Sequence, residues 1–203
     1  FTPSPGAGHD RRTVALDLPD LSARLVTDAG VFARDAGEAG TKLLLLDGGR
    51  PDPATPRPLL DLGCGYGPIA VALARRAPEA TVWAVDVNAR ALGLCAENAA
   101  ASGVGDRVHA VAPDAVPTDL AFAGIWSNPP IRIGKPALHA LLRRWLPRLA
   151  PDGVAWLVVA RNLGADSLGA WLTREGYDVT RTGSRAGYRL LRVRPRPDAG
   201  EPG

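Results

Sequence analysis

Asp61-Leu62-Gly63-Cys64-Gly65-Tyr66-Gly67-Pro68 sets an acid and three alternate glycines between a short apolar run and a helical pattern. Glycine lets a backbone turn sharply and approach a bound group closely, because no Cβ intervenes. A second acid, Asp86, closes the next apolar run, 23 residues after Gly63. A carboxylate there can accept both hydroxyls of a ribose. Further on, Ser127-Asn128-Pro129-Pro130 follows the run Phe122 to Trp126. Two prolines stiffen that loop and withdraw it from any ladder. Asn128 offers a side-chain oxygen and Pro129 a carbonyl, so the pair can accept both hydrogens of a planar NH2 group. Such an amine is a poor nucleophile because its lone pair is delocalised. Holding both N–H groups localises that pair toward an electrophile, by alignment and preorganised dipoles alone.

The glycine spacing separates two classes of cofactor. A dinucleotide fingerprint needs G-x-G-x-x-G, and here Pro68 stands at the sixth position. Asp61 would also repel a pyrophosphate, whereas it suits a cation. S-adenosylmethionine, with an ammonium and a sulfonium, fits better. A glycine-rich turn also occurs with no ligand, so the expectation rests on Asp61 and Asp86 together with the glycines.

These residues need elements to place them. Thr13 to Leu18 and Leu21 to Thr27 read as a β-hairpin, and Glu38 to Asp47 as a short helix. Pro51, Pro53, Pro56 and Pro58 mark a linker loop. From Pro58 onward strands and helices alternate: strand 59–62, helix 68–77, strand 81–86, helix 88–102 with Asn88 as N-cap, strand 107–112 and strand 121–127. Leu138, Leu141, Leu142, Trp145 and Leu146 follow helical spacing up to Pro147. Pro151-Asp152-Gly153 reads as a turn into strand 154–160, followed by helix 166–175 and two strands within 177–193. Alternation of this kind predicts a parallel sheet covered on both faces, with Gly63, Asp86 and Asn128 at one edge of it. The expected layout is an arm at 1–10, a hairpin, helix and linker at 11–57, a cofactor-binding domain at 58–194 and a tail at 195–203.

Length and composition bound the rest. With 203 residues, 46% hydrophobic and 22% charged, the chain has an ordinary globular balance. No apolar run approaches the roughly 20 residues that span a bilayer. Two cysteines, Cys64 and Cys95, form no disulfide framework, which predicts a reduced, cytoplasmic setting. The chain has no Met, so a start upstream, or one removed, is expected. Residues 1–100 carry a net charge of −2 and residues 101–203 a net of +5. A basic half suits nucleic acid, although scattered solvated arginines give the same count. Arg143, Arg144 and Arg148 suit a helix C-terminus as well as they suit RNA. No metal-ligand spacing links the three histidines to the cysteines, so no metal is expected. Trp126, Trp145 and Trp156 fall in core patterns, and Tyr66 reads equally as core or as a flank of the cofactor.

Taken together, these residues resemble the class I S-adenosylmethionine-dependent methyltransferases of the "methyltransferase small" group, most closely the RsmC-type 16S rRNA guanine-N2 enzymes. The resemblance runs from about Thr13 to Val193. It includes Gly30 to Asp35, Gly40-Thr41, Leu60 to Pro68, Asp86-Val87-Asn88, Asn128-Pro129-Pro130 and Gly183 to Arg189. It implies a Rossmann-like α/β fold with a seven-stranded sheet in the order 3-2-1-4-5-7-6, the last strand antiparallel, behind the hairpin. It also implies that Asp61, Gly63, Cys64 and Gly65 line the methionine part of S-adenosylmethionine. Asp86 would hold the ribose, with Val87 beside the adenine and Asp114 accepting from its amine, and Thr41 would close over the cofactor. Asn128 and Pro129 would hold the target amine, with Pro130 stiffening the loop. Two departures stand out. The family usually has an aromatic residue after Asn-Pro-Pro, where this chain has Ile131 and then Arg132. Ile131 can pack apolar against a base, and Arg132 can stack on one; Arg132 and Lys135 are the phosphate-contact candidates. Longer members also carry a second, degenerate domain ahead of the catalytic one, where this chain has the hairpin. The implied reaction is methyl transfer to guanine N2 of small-subunit rRNA, on naked RNA or on the subunit, by a monomer or weak dimer. Glutamine-N5 of a release factor and adenine-N6 share the chemistry, and a non-catalytic cofactor-binding module is the alternative of another class.

Overall fold

The computed structural model describes residues 10–29, 31, 36–129, 134–161 and 164–196. The expected hairpin is formed by β1 (Arg12–Leu18) and β2 (Leu21–Thr27), paired from Arg12↔Thr27 to Leu18↔Leu21. Then follow α1 (Ala36–Asp47), β3 (Leu59–Leu62), α2 (Pro68–Arg76), β4 (Val82–Val85), α3 (Ala89–Ala101), β5 (Val108–Val111) and β6 (Phe122–Ser127). The chain closes with α4 (Lys135–Trp145), β7 (Leu149–Ala160), α5 (Ala165–Arg174), β8 (Tyr177–Arg185) and β9 (Tyr188–Pro195). The main sheet has seven strands in the order β5-β4-β3-β6-β7-β9-β8. That is the expected 3-2-1-4-5-7-6 once the hairpin strands are set aside. β3, β4, β5, β6 and β7 are parallel, and β9 runs antiparallel to both β7 and β8.

Local chemistry sets the boundaries. α2 starts at Pro68, where a missing N–H costs no helical hydrogen bond. α3 is capped by Asn88, whose side chain accepts the Arg90 N–H at 3.0 Å. α4 ends where Pro147 tightens the chain into a 3-10 turn, Leu146–Arg148. One boundary differs from the sequence reading. Pro151-Asp152-Gly153 does not precede the strand but lies inside β7, which starts at Leu149. Leu149 pairs with Phe122, and the next pair is Gly124↔Val154, so three extra residues bulge from the ladder. A Cβ on Gly153 would stand 2.9 Å and 3.0 Å from the carbonyl oxygens of Ala150 and Phe122, which only glycine permits. The strand resumes because Phe122 is already paired, a constraint no local pattern carries.

Two cores flank the sheet. One packs the hairpin, α1, α2 and α3 around Leu25, Leu44, Leu73, Cys95 and Trp126. The other packs α4 and α5 around Phe122, Ile125, Leu142, Trp145 and Leu172. Asn98 of α3, almost fully buried, joins the hairpin to the first core. Its Oδ1 accepts the Val26 N–H at 2.7 Å, and its Nδ2 donates to the Val26 and Tyr66 carbonyls, both at 2.8 Å. A side-chain amide here completes β2 as a neighbouring strand would.

Candidate active site

The strand order reverses at β3, which lies between β4 and β6. A crevice opens where such neighbours part, beyond their carboxyl ends. β3 and β6 pair only as far as Asp61↔Trp126. Past that point the Ser127 hydroxyl donates to the Leu62 carbonyl at 2.6 Å and pins the divergence.

The glycine turn is built from backbone bonds. The N–H groups of Gly63 and Cys64 both donate to the Val85 carbonyl, at 2.8 Å and 3.0 Å. The Gly65 N–H donates to Asp86 Oδ2 at 3.1 Å, and Asp86 Oδ1 accepts from Asn88 N–H at 3.0 Å. Asp86 therefore ties the turn after β3 to the turn after β4. Gly67 has φ +88°, and a Cβ there would stand 2.6 Å from Cys95 Sγ. The Cys64 side chain also points inward. Its neighbour Cys95 and then burial push its thiol well above the usual range. Cys64 therefore offers the glycine turn its backbone, while its side chain packs into the core. Tyr66 is buried and belongs to the core; burial pushes its phenol up to about 12.

Asp61 has no exposed surface. Its Oδ2 accepts the Ala70 N–H at 2.9 Å, capping the first turn of α2 from the neighbouring strand. Its Oδ1 has no hydrogen-bond partner among the described residues. Burial, with a smaller contribution from the Asp86 charge, lifts this carboxyl from 3.8 to about 8. A buried acceptor without a partner, beside a glycine turn, is a place prepared for a donor or a cation.

A cavity of about 300 Å³ adjoins the turn, lined by Leu62, Gly63, Val85, Asp86, Val87, Pro113, Ala137, Ala140, Leu141, Arg144 and Trp145. Val87 is 46% exposed although large and apolar, so its wall is one a flat apolar ring would cover. An acid at the base and an apolar wall above it fit a nucleoside. Asp114 does not enter this cavity: its side chain is 92% exposed and accepts from Arg144 Nη2 at 2.7 Å. The structure thus places Asp114 on the rim, beside Arg144 of the cavity wall.

Asn128 follows β6 at the same edge. Its Nδ2 donates to Thr41 Oγ1 of α1 at 3.1 Å. Thr41 is buried, and its hydroxyl accepts from Asn128 at this edge. Pro129 is described, whereas Pro130, Ile131 and Arg132 lie outside the described residues. Lys135 opens α4 and is exposed. Arg143 pairs with Glu175, Arg144 with Asp114, and Arg148 donates to the Pro117 and Leu120 carbonyls, so each has a partner within the fold. Trp126, Trp145 and Trp156 pack in or against the cores. Among the described residues no group of three His, Cys, Asp or Glu side chains is placed to hold a metal. No helix among them is long and apolar enough to cross a membrane. Sequence reasoning gave no role to Asn98, nor to Ser127, Gly40 and Tyr188, which it quoted only within motifs. Only Asn98, a polar residue set among alanines on a helix, carried a local signal.

Comparison with known proteins agrees with the fold. The chain is 30% identical to the Bacillus subtilis protein YbxB over 197 residues, 96% of both chains. Ribosomal RNA small subunit methyltransferase C of Pseudomonas putida is 39% identical over 122 residues, 59% of this chain and 35% of that protein. The chain spans between 33% and 42% of the length of the rRNA methyltransferases it matches. The T. thermophilus 16S rRNA methyltransferase RsmC, solved with AdoMet and guanosine, shares the fold with a TM-score of 0.70 at 22% identity, over 92% of this chain and 51% of that one. The model of the methyltransferase small domain matches residues 22–192. With an unpartnered acid under the glycine turn and an apolar-walled cavity beside it, the chain belongs to the methyltransferase small domain family, and its methyl donor is S-adenosylmethionine.

Proposed function

We propose that this protein transfers a methyl group from S-adenosylmethionine to the exocyclic N2 of a guanine in small-subunit rRNA. The observation that carries the reading is the Asn128 amide, held by Thr41 at the carboxyl edge beside the Gly63–Asp86 cavity. Proteins named rRNA small subunit methyltransferase C align with this chain over most of its length.

In this reading Asp61 faces the methionine ammonium and Asp86 the ribose, with Val87 against the adenine. The cofactor supplies an electrophilic methyl on a sulfonium. Thr41 accepts from Asn128 Nδ2 and so sets Oδ1 as the acceptor side of the amide. Asn128 Oδ1 and the Pro129 carbonyl take the two N–H groups of the target amine and fix its lone pair toward the methyl. The leaving proton passes to water, since an aryl ammonium is strongly acidic. Lys135, Arg161 and Arg185 are exposed along the same edge, Arg161 after β7 and Arg185 at the β8–β9 tip. They suit the phosphates beside a flipped-out base.

Labelled methyl from S-adenosylmethionine, offered with rRNA, small subunits and release factor from a host lacking this protein, tests the reading. Label recovered as N2-methylguanosine is the expected result. Label in glutamine or N6-methyladenine overturns the guanine assignment. No label at all, with cofactor still bound, makes the chain a binding module.

A further inference from the structure

We propose that Gly40 and Tyr188 form, with Thr41, a cradle that fixes the Asn128 amide, making all three positioning residues for methyl transfer. The inference deepens the reading above and rests on Asn128 as the acceptor-holding group.

Three elements meet at this amide. α1 contributes Gly40 and Thr41, the end of β6 contributes Asn128, and the start of β9 contributes Tyr188. A Cβ built on Gly40 would stand 3.2 Å from Asn128 Nδ2 and 3.0 Å and 3.3 Å from Tyr188 Cε1 and Cδ1. The amide and the phenol ring therefore close on the same bare backbone. Thr41, the next residue of the helix, binds the same nitrogen at 3.1 Å. Pairing explains how Tyr188 arrives there. It stands opposite Ala160, the last residue of β7, and two residues before buried Leu190 on the same face of the strand. That face is the one α1 covers.

Gly40 is weakly helix-forming, yet it occupies a helix interior where no turn or positive φ calls for it. Close approach of the amide and the ring is the reason the structure gives. This yields a test that separates positioning from folding. Alanine at position 40 favours the helix and should not lower the melting temperature, while its methyl must displace Asn128 or Tyr188 by a few tenths of an ångström.

The experiment measures Gly40→Ala, Tyr188→Ala and Tyr188→Phe beside wild type and Asn128→Ala. Each is assayed with whichever acceptor wild type labels, and each has its Asn128 side-chain amide followed by 1H–15N NMR, with Asn128→Ala assigning the peaks. For Gly40→Ala we expect a kcat loss of about tenfold or more, with KM and cofactor Kd within about twofold of wild type, an undiminished melting temperature and shifted amide peaks. Tyr188→Ala should lose kcat similarly, and Tyr188→Phe, which keeps the ring carbons that touch Gly40, should restore most of it. Wild-type kcat and unmoved amide peaks in Gly40→Ala overturn the cradle. If wild type labels none of the offered acceptors, the substrate reading fails on its own, and the amide peaks still decide the cradle.

Discussion

Asp61 keeps one oxygen on the Ala70 amide and the other without a described partner, entirely out of solvent. Its carboxyl titrates near 3.8 in an unfolded chain and near 8 when buried, so the folded protein holds a proton that the unfolded chain releases across that window. Stability from this group is fully present below the lower value and is lost as pH rises through the upper one. Asp61→Asn keeps an acceptor for Ala70 and removes the titration. Its urea midpoint without cofactor should therefore gain on wild type from pH 5 to pH 8, and a constant offset would contradict the burial account. The same variant should bind S-adenosylmethionine more weakly, because a neutral amide offers the ammonium no charge. At this scale the sequence was informative where a residue acts through its own chemistry. Asp61, Asp86 and Asn128 were named for their own acceptors, and the structure shows that the two acids also hold the ends of the elements beside them. Thr41, Asp114 and Cys64 were placed by resemblance, and the structure adds contacts the sequence did not give: Thr41 to Asn128, Asp114 to Arg144, Cys64 to Cys95. Side-chain direction at a loop depends on packing that no local pattern encodes.

Among the elements, the junction of β2, α3 and the glycine turn is joined by a single buried side chain. Asn98 satisfies the Val26 N–H, the Val26 carbonyl and the Tyr66 carbonyl at once. Asn98→Leu fills similar space but strips those groups of their partner, and should cost about 2–4 kcal/mol. Gly67→Ala should cost a similar roughly 2–4 kcal/mol, from a left-handed backbone and a methyl driven into Cys95. Urea unfolding with unchanged m-value checks both, and a loss under about 0.5 kcal/mol, the size of an ordinary surface change, would contradict the close packing. The hairpin, the helix starts at Pro68 and Asn88, and the alternation from Pro58 onward were readable because proline, glycine and period act locally. β7 was misread at its start, because Pro151-Asp152-Gly153 has the composition of a turn and becomes a bulge only through Phe122 on the neighbouring strand. Gly40 and Tyr188 come from opposite ends of the chain and meet only once β9 inserts beside β7.

Across the whole molecule the proposed function has the sheet separate two tasks at one edge. The ends of β3 and β4 face the cavity that suits the methyl donor, and the end of β6 presents the group that suits the acceptor. Strand order followed from resemblance, since alternation alone leaves several orders open. Net charge was equally indirect: the basic excess of residues 101–203 is spread, but Lys135, Arg161 and Arg185 stand along the functional edge. Replacing these three by alanine should weaken RNA binding about 10–100-fold near physiological salt and make the salt dependence shallower by about two to three counterions, with cofactor Kd unchanged. An unaltered salt slope would place the RNA elsewhere. The separation of tasks is tested most directly by measuring cofactor Kd and single-turnover methyl transfer for Asn128→Ala and Asp86→Ala in parallel. The account expects Asn128→Ala to bind S-adenosylmethionine within about twofold of wild type while transfer falls by about 100-fold or more, and Asp86→Ala to lose binding. Wild-type transfer by Asn128→Ala would contradict the account at its centre.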